Sequence, residues 1–161
     1  MKLLISITVF IIFGLSILFG IHLYTEPVSI QLVETDKTLP ERYQKDRLTD
    51  YLLTMVHTEE GFEEKWEEFQ LSGTAPTIDF NRYDSFFLGF NESGGCAIKP
   101  EHLEFKKKEK SLIVRISTPY EYCQDMAVPR TFVYKLEKEL AKELTEMVIV
   151  NEREEKKVPI D

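Results

Sequence analysis

The chain has 161 residues, with 20 Lys and Arg against 28 Asp and Glu, which gives it a net charge of −8 at pH 7. This length accommodates one ordinary domain and excludes most multidomain enzymes. The acidic balance also makes nucleic acid a poor partner, because its phosphates repel a negatively charged surface. We therefore expect no nucleic-acid binding.

The N-terminal segment is the most apolar part of the chain. From Leu3 to Ile21 it has 19 residues without a charge. As a helix rising about 1.5 Å per residue, this run covers roughly 28 Å, close to the hydrocarbon thickness of a bilayer. A cleaved secretory signal would have a shorter apolar stretch and small residues at its end, whereas His22–Tyr24 is bulky; a buried helix is the third alternative. We predict that residues 1–24 are an uncleaved transmembrane anchor.

Charges beside this span predict its orientation. Lys2 precedes the span and Glu26 is the first charge after it. The positive-inside rule then leaves the N-terminus in the cytoplasm and the rest of the chain outside. Beyond the span, 19 basic and 28 acidic residues leave a charge of −9. We expect a single-pass cell-membrane protein whose partners are the membrane, through this helix, and another membrane or secreted protein.

The residues after the anchor divide into a spacer, a folded domain and a tail. Residues 25–47 form the spacer, in which 28–33 alternate between apolar and polar as in a strand. Residues 48–150 hold the strands and helices of one α+β domain. The charged residues 151–161 predict a frayed tail.

A helix is predicted to begin after Thr58. Thr is a favoured N-cap, and the two glutamates that follow suit the positive end of the helix dipole. Phe62, Trp66 and Phe69 recur at helical spacing and form one apolar stripe, and Ser72–Gly73 ends the helix. We expect Trp66 to dock this helix onto a sheet.

The rest of the domain has the pattern of an antiparallel sheet, in which turn-forming or charged residues separate short apolar runs. Residues 91–95 predict a turn, Lys106–Lys110 a hairpin tip whose basic run we interpret as solvated rather than as a binding patch, and residues 118–128 a loop. The predicted fold class is α+β: a transmembrane helix, then a small antiparallel sheet with one amphipathic helix packed on it. Strands are predicted at 48–56, 86–90, 97–105, 112–117, 131–137 and 147–150, and a second helix at 138–144.

Several short motifs follow one another in a characteristic order. A strand, a helix with one Trp and the sequence Ile78-Asp79-Phe80 lead into an apolar strand that runs into Ser93-Gly94-Gly95; a hairpin and a Pro-containing loop precede a last strand. Over about residues 48–138 this resembles the PrcB-type domain, named after the accessory subunit of a bacterial surface protease complex. Cys96 replaces an aromatic residue of the family pattern, and Pro129-Arg130 replaces a Pro-Tyr pair. The resemblance implies an extracytoplasmic α+β domain that assists or contacts other proteins, and it brings no catalytic residues.

The two cysteines, Cys96 and Cys123, both fall in the part predicted to lie outside the cytoplasm. An even number there favours a disulfide. Closing a loop of about 27 residues would contribute about 3 kcal/mol of stability in the chain-entropy picture. A free buried thiol and a reactive thiol are the alternatives.

Signals for catalysis are weak. A nucleophile needs a base within hydrogen-bond reach, and His102 lies six residues after Cys96, on the same face if both are in a strand. Ser93 precedes two glycines, but the sequence lacks the preceding Gly of a nucleophile elbow. This pattern is therefore more typical of a turn. The sequence has no metal-binding or nucleotide-binding motif, so we predict no metal and no cofactor.

Aromatic residues make up 12% of the chain. Phe86 and Phe87 are adjacent, so their side chains must point to opposite faces of a strand. Either a second layer, such as a helix over Leu136–Leu144, covers the far face, or an apolar patch remains for a partner; we favour the covered core.

Interface-forming residue types, Tyr and Met, also concentrate in the loop at 118–128. We expect this loop and the turn at 91–95 to form the functional surface of a non-catalytic protein-interaction or accessory module. A small thiol or serine hydrolase that uses Cys96 or Ser93 with His102, and a purely structural envelope protein, are the alternatives. The candidate surface residues are Ser93, Gly94, Gly95, Tyr120, Tyr122 and Met126.

Overall fold

A computed structural model describes residues 30–45, 50–94, 99–117, 124–151 and 154–160. Within these ranges no helix has the length and apolar character needed to cross a membrane, and the predicted anchor at residues 1–24 lies outside them. The elements in chain order are β1(Ile30–Asp36), α1(Glu41–Lys45), β2(Leu52–Val56), α2(Glu59–Glu68), β3(Tyr83–Gly94), β4(Lys99–Lys106), β5(Ser111–Ser117), β6(Gln124–Glu137), α3(Lys138–Ala141), β7(Glu146–Val150) and β8(Glu155–Pro159).

The strands form two four-stranded sheets. Sheet 1 has the order β1-β6-β3-β2, and sheet 2 has the order β4-β5-β7-β8. Neighbouring strands are antiparallel except β5 and β7, which are parallel. A parallel pair needs a crossover connection, and here the chain passes through β6 of sheet 1 and α3 before it returns as β7. The fold is therefore α+β, as predicted, but the prediction of one small antiparallel sheet is wrong, because the described strands form two sheets and one strand pair is parallel.

The main helix is α2, and the prediction that it begins after Thr58 is confirmed. The Thr58 hydroxyl accepts a hydrogen bond from the Gly61 N–H at 3.2 Å, which satisfies one of the free donors of the first turn. The helix ends before the predicted Ser72–Gly73, because Gln70 adopts a left-handed conformation with φ of 56°. The Leu71 N–H then bonds back to the Trp66 carbonyl at 3.1 Å, as in a Schellman ending.

Both faces of the two central strands of sheet 1, β3 and β6, are buried. On one face Phe87 and Val133 pack against α2 together with Phe62 and Trp66, and the ring centroids of Phe62 and Phe87 are 5.5 Å apart. Trp66 is 4% exposed, so its predicted docking role is confirmed. The opposite face packs against sheet 2 through alternate residues of four strands: Phe86, Leu88, Phe90, Phe132, Tyr134, Leu136, Leu112, Val114, Ile116, Met147 and Ile149.

Sheet 2 is thus the second layer that the adjacent phenylalanines required. The second helix, predicted at 138–144, begins where expected but is shorter, since α3 covers only Lys138–Ala141. Ala141 and Leu144 still close one end of the core between the sheets. No uncovered aromatic face is left among the described strands of sheet 1.

One glycine permits a close approach on the helix-facing side of sheet 1. A Cβ at Gly89 would lie 2.5 Å from Leu39 Cδ2 and 3.3 Å from Phe69 Cε1. Leu39 is fully buried, and the Thr131 hydroxyl donates to the Thr38 carbonyl at 2.6 Å. Gly89 therefore lets the segment after β1 fold over the sheet beside α2.

Several predicted segments have a different secondary structure. Residues 91–94, predicted as a turn, continue β3, and residues 124–128, predicted as loop, begin β6; each segment is held by the other. Residues 41–45 of the spacer form α1. Residues 155–159, predicted as a frayed tail, form β8; as an edge strand β8 can carry charges that face water.

We predict that Phe86→Ala and Phe87→Ala each lower the free energy of unfolding by about 3–5 kcal/mol, because each ring fills a separate core. Leu32→Ala is the control, since Leu32 is 51% exposed and its loss should cost much less. Denaturant unfolding of the three variants measures the effect. A large loss at only one of the two phenylalanines would contradict the two-sided burial of sheet 1.

Candidate interaction site at the end of the β3–β6 ribbon

The two central strands of sheet 1 extend beyond their neighbours. β2 pairs with β3 only from Ser85 to Gly89, and β1 pairs with β6 only from residue 131 to 136. Among the described strands, residues 90–94 of β3 and 124–130 of β6 therefore have only each other as strand-pairing partners. We call this two-stranded extension the distal ribbon. Pro129 fits here because none of the described strands pairs with its other side, where an N–H would be required.

The register of the distal ribbon is irregular near its tip. Ser93 pairs with Ala127, but the next residue, Gly94, pairs with Gln124. Two residues of β6, Asp125 and Met126, therefore fall between consecutive partners. A bulge of this kind bends the strand and redirects a side chain, and Met126 is 64% exposed.

An ion pair is buried at the base of the distal ribbon. Arg130 donates to Glu92 Oε1 from Nε at 3.1 Å and from Nη2 at 2.5 Å. The side chains are only 11% and 3% exposed. Glu92 is two residues from Phe90 and Arg130 is two residues from Phe132, so both side chains are on the strand face that packs against sheet 2. The ion pair therefore lies at the end of the core between the sheets. A buried charge without its partner would be strongly unfavourable, so the pair fixes β3 against β6 at this point.

The guanidinium of Arg130 also acts on a carboxylate at the end of β1. The pKa of Asp36 is lowered, mainly by the hydrogen bond from the Ser72 hydroxyl, with Arg130 adding a smaller electrostatic contribution. Ser72 donates to Asp36 Oδ2 from its hydroxyl at 2.7 Å and from its N–H at 3.0 Å. These contacts tie the segment after α2 to the base of the distal ribbon.

The structure brings together three of the six predicted surface residues. Ser93 and Gly94 end β3, and Met126 lies in the bulge beside them. Gly95, Tyr120 and Tyr122 lie outside the described residues, as do Cys96 and Cys123. His102 belongs to β4, opposite Arg115.

A second polar cluster lies at the other end of sheet 1. Asp84 is buried, with its side chain 3% exposed, and His57 Nδ1 lies 2.9 Å from Asp84 Oδ2. Lys138 Nζ is 3.5 Å from Asp84 Oδ1 and donates to the Phe80 carbonyl at 2.8 Å. A carboxylate that orients an imidazole is one half of an acid–base dyad. Here it also joins the end of β2 to β3 and to the start of α3, and we interpret it as a structural contact.

A ligand cleft and a metal centre are two other kinds of site that the described residues could form. A cleft of about 260 Å³ opens between β2 and the end of β8, lined by Leu53, Thr54, Met55, Pro159 and Ile160. Within the described ranges, no three His, Cys, Asp or Glu side chains converge on a point where a metal ion could bind.

Glu92 and Arg130 form a buried ion pair that the sequence analysis did not identify. Phe86, Leu88 and Phe90 mark the core face of β3, and Glu92 continues the same alternation. A charge at a core position needs a buried partner, and Arg130 stands in the equivalent place before Phe132. The alternation of core-facing residues in β3, when it is continued beyond Phe90, therefore predicts that Glu92 is buried and needs a charged partner.

Comparison with known proteins gives no further guidance: no family model matches the chain, and neither the curated proteins nor the solved structures include a significant match. The site therefore rests on its own geometry.

We predict that Glu92→Ala lowers the free energy of unfolding by about 3–5 kcal/mol, because it leaves the Arg130 charge buried without its partner. The double variant Glu92→Leu, Arg130→Met removes both charges and should lose less than the single variant. Denaturant unfolding of both proteins measures this. A double variant that is less stable than Glu92→Ala would contradict the interpretation that the penalty comes from the unpaired charge.

Proposed function

We propose that this protein is a single-pass membrane protein whose extracytoplasmic domain is a non-catalytic module that binds or assists another protein. Residues 1–24 are the anchor and the N-terminus is cytoplasmic. The partner, a membrane or secreted protein, contacts the distal ribbon. The resemblance to the PrcB-type domain, an accessory domain, agrees with this role and forms part of the proposal.

The observation that carries the proposal is the exposed Met126 on a bulge at the end of a paired arm. A methionine side chain adapts its shape to a partner surface. The buried pair of Glu92 and Arg130 holds the base of the arm, so little backbone order has to be gained on binding. Pre-organisation of this kind lowers the cost of association.

The predicted surface residues that lie outside the described ranges are adjacent to this arm in sequence. Gly95 follows Gly94 directly, and Tyr120 and Tyr122 precede Gln124 by a few residues. We propose that they complete the surface, because tyrosine combines a large apolar contact area with a polar tip.

We also propose the disulfide between Cys96 and Cys123. Gly94 and Gln124 are cross-strand partners. Cys96 comes two residues after Gly94, and Cys123 comes one residue before Gln124. Cross-strand neighbours have Cα separations of about 4.5–5.5 Å, which lies within the range that a disulfide spans. Because the two cysteines are so close in sequence to a cross-strand pair, their Cα atoms can lie at a similar separation. The bridge would close the tip of the distal ribbon.

The test is photo-crosslinking in intact cells with the full-length chain. A photoreactive amino acid replaces Met126 or, as a matched control, Leu32, the other large apolar side chain that is exposed among the described residues. We expect a discrete adduct from position 126 and none from position 32. Tyr120→Ala with Tyr122→Ala should reduce the yield of that adduct.

Equal adducts from both positions, or none from position 126, would count against the module. Activity-based probes for reactive thiols and serines separate it from the competing hydrolase. If a probe labels the protein and Cys96→Ala or Ser93→Ala abolishes the labelling, the result would favour the hydrolase over the interaction module.

A further inference from the structure

The chain enters the domain at a defined end of the sandwich. β1 begins at Ile30, opposite Leu136 near the end of β6, and α3 follows β6 directly. We call this the α3 end. β3 and β6 run from the pair Tyr83–Glu137 at the α3 end to the pair Gly94–Gln124 at the tip of the distal ribbon. The distal ribbon and the entry point are therefore at opposite ends.

The hairpin tip between β4 and β5 lies at the same end as Ile30. The Thr145 N–H donates to the Lys110 carbonyl at 2.9 Å. Thr145 comes shortly after α3 and directly before β7, whose first residue, Glu146, pairs with Ser111 at the start of β5. The tip is thus fastened to the α3 end.

The tip and the start of β1 also share one edge of the sandwich. At the other edge, Asn151 Nδ2 donates to the Tyr51 hydroxyl at 3.2 Å, and Lys156 pairs with Asp50. These contacts place β2 over the edge that β8 forms. Because the sheet orders are β1-β6-β3-β2 and β4-β5-β7-β8, β1 then lies on the side of β4.

The tip carries a charge of the opposite sign to the whole chain. Residues 106–110 contain four lysines and one glutamate, in a chain whose net charge is −8. Other lysines at this end are paired, such as Lys142 with Glu139 at 2.7 Å and Lys157 with Glu146 at 3.1 Å. Lys107, Lys108 and Lys110 are exposed, and none of the ion pairs among the described residues includes them.

We propose that this tip contacts the anionic phospholipid headgroups of the membrane that anchors the chain. The inference rests on the anchor in the proposed function. Five residues, 25–29, separate the end of the predicted anchor at residue 24 from Ile30, and the extended chain over this distance reaches at most about 20 Å. The tether holds the α3 end, where Ile30 lies, within that distance of the bilayer and so favours the orientation in which this end faces the membrane. The lysines are attracted to anionic lipid within about one Debye length, about 8 Å at physiological salt.

The acidic remainder of the domain strengthens this orientation. The same surface potential that attracts the tip repels the rest of the chain, so the two forces turn the domain in the same sense. The distal ribbon, with Met126, is then presented away from the membrane, where a partner protein can reach it.

The experiment measures how close each end lies to the bilayer in the full-length chain. A donor fluorophore is attached through a non-natural amino acid at position 109, which leaves every lysine of the tip in place, or at position 126. The chain is reconstituted into nanodiscs whose headgroups carry an acceptor, in zwitterionic lipid alone or mixed with phosphatidylglycerol. We expect more energy transfer from position 109 than from 126, and an increase at 109 when anionic lipid is added that high salt abolishes.

Charge variants then test the lysines themselves. Lys107→Gln with Lys108→Gln should abolish the increase in transfer that anionic lipid causes. Lys37→Gln with Arg42→Gln is the matched control, since it removes the same charge from exposed residues beyond the other end of β1 and should preserve the increase.

Two results would overturn the inference in distinguishable ways. Release of the chain from membranes by alkaline carbonate would contradict the proposed anchor, and the inference that rests on it would also be wrong. A chain that resists extraction, but whose transfer from position 109 is unaffected by anionic lipid or weaker than that from position 126, would overturn the inference and leave the proposed anchor intact.

Discussion

The pleat of β3 is the constraint on which the rest of the structure depends. Successive side chains on a strand point to opposite faces, and this strand places Phe86 and Phe87 next to each other, both fully buried. Sheet 1 can therefore be stable only if both its faces are covered. The helix α2 covers one face and sheet 2 covers the other, so the order of layers follows from two adjacent residues and their counterparts in β6.

The position of the candidate site follows from where that coverage stops. β3 and β6 continue past β1 and β2, and on the face toward sheet 2 the apolar alternation ends with Glu92 and Arg130. Beyond this pair, within the part of the chain that the structure describes, the two strands pair only with each other, and Met126 is exposed in the bulge. The buried ion pair marks the boundary between the packed core and the distal ribbon, and it fixes the base of the ribbon.

Local signals in the sequence were sufficient for some elements. The start of α2 was predictable because its cap, its acidic first turn and its apolar stripe are all encoded within one segment. The same holds for the hairpin of β4 and β5. The adjacency of Phe86 and Phe87 predicted that a second layer was needed, although not that a second sheet supplies it.

Other elements depend on partners far away in the chain. Residues 91–94 have the composition of a turn, but pairing with residues 124–129 keeps them in a strand. The charged segment at 155–159 pairs with β7 because an edge strand can expose its lysines. The candidate site was half predictable in the same sense: Ser93, Gly94 and Met126 were identified by residue type, whereas the pair of Glu92 and Arg130 emerges only from the register between two distant strands.

Amide hydrogen exchange tests the central constraint most directly, because protection reports the cooperative stability of each strand. If sheet 1 is held from both faces, the slowest amides should lie in residues 86–89 of β3 and 131–136 of β6, which have a strand on each side, and β1 and β8 should exchange faster. Protection that is greatest in sheet 2, while the centre of β3 exchanges as fast as the edge strands, would contradict the account.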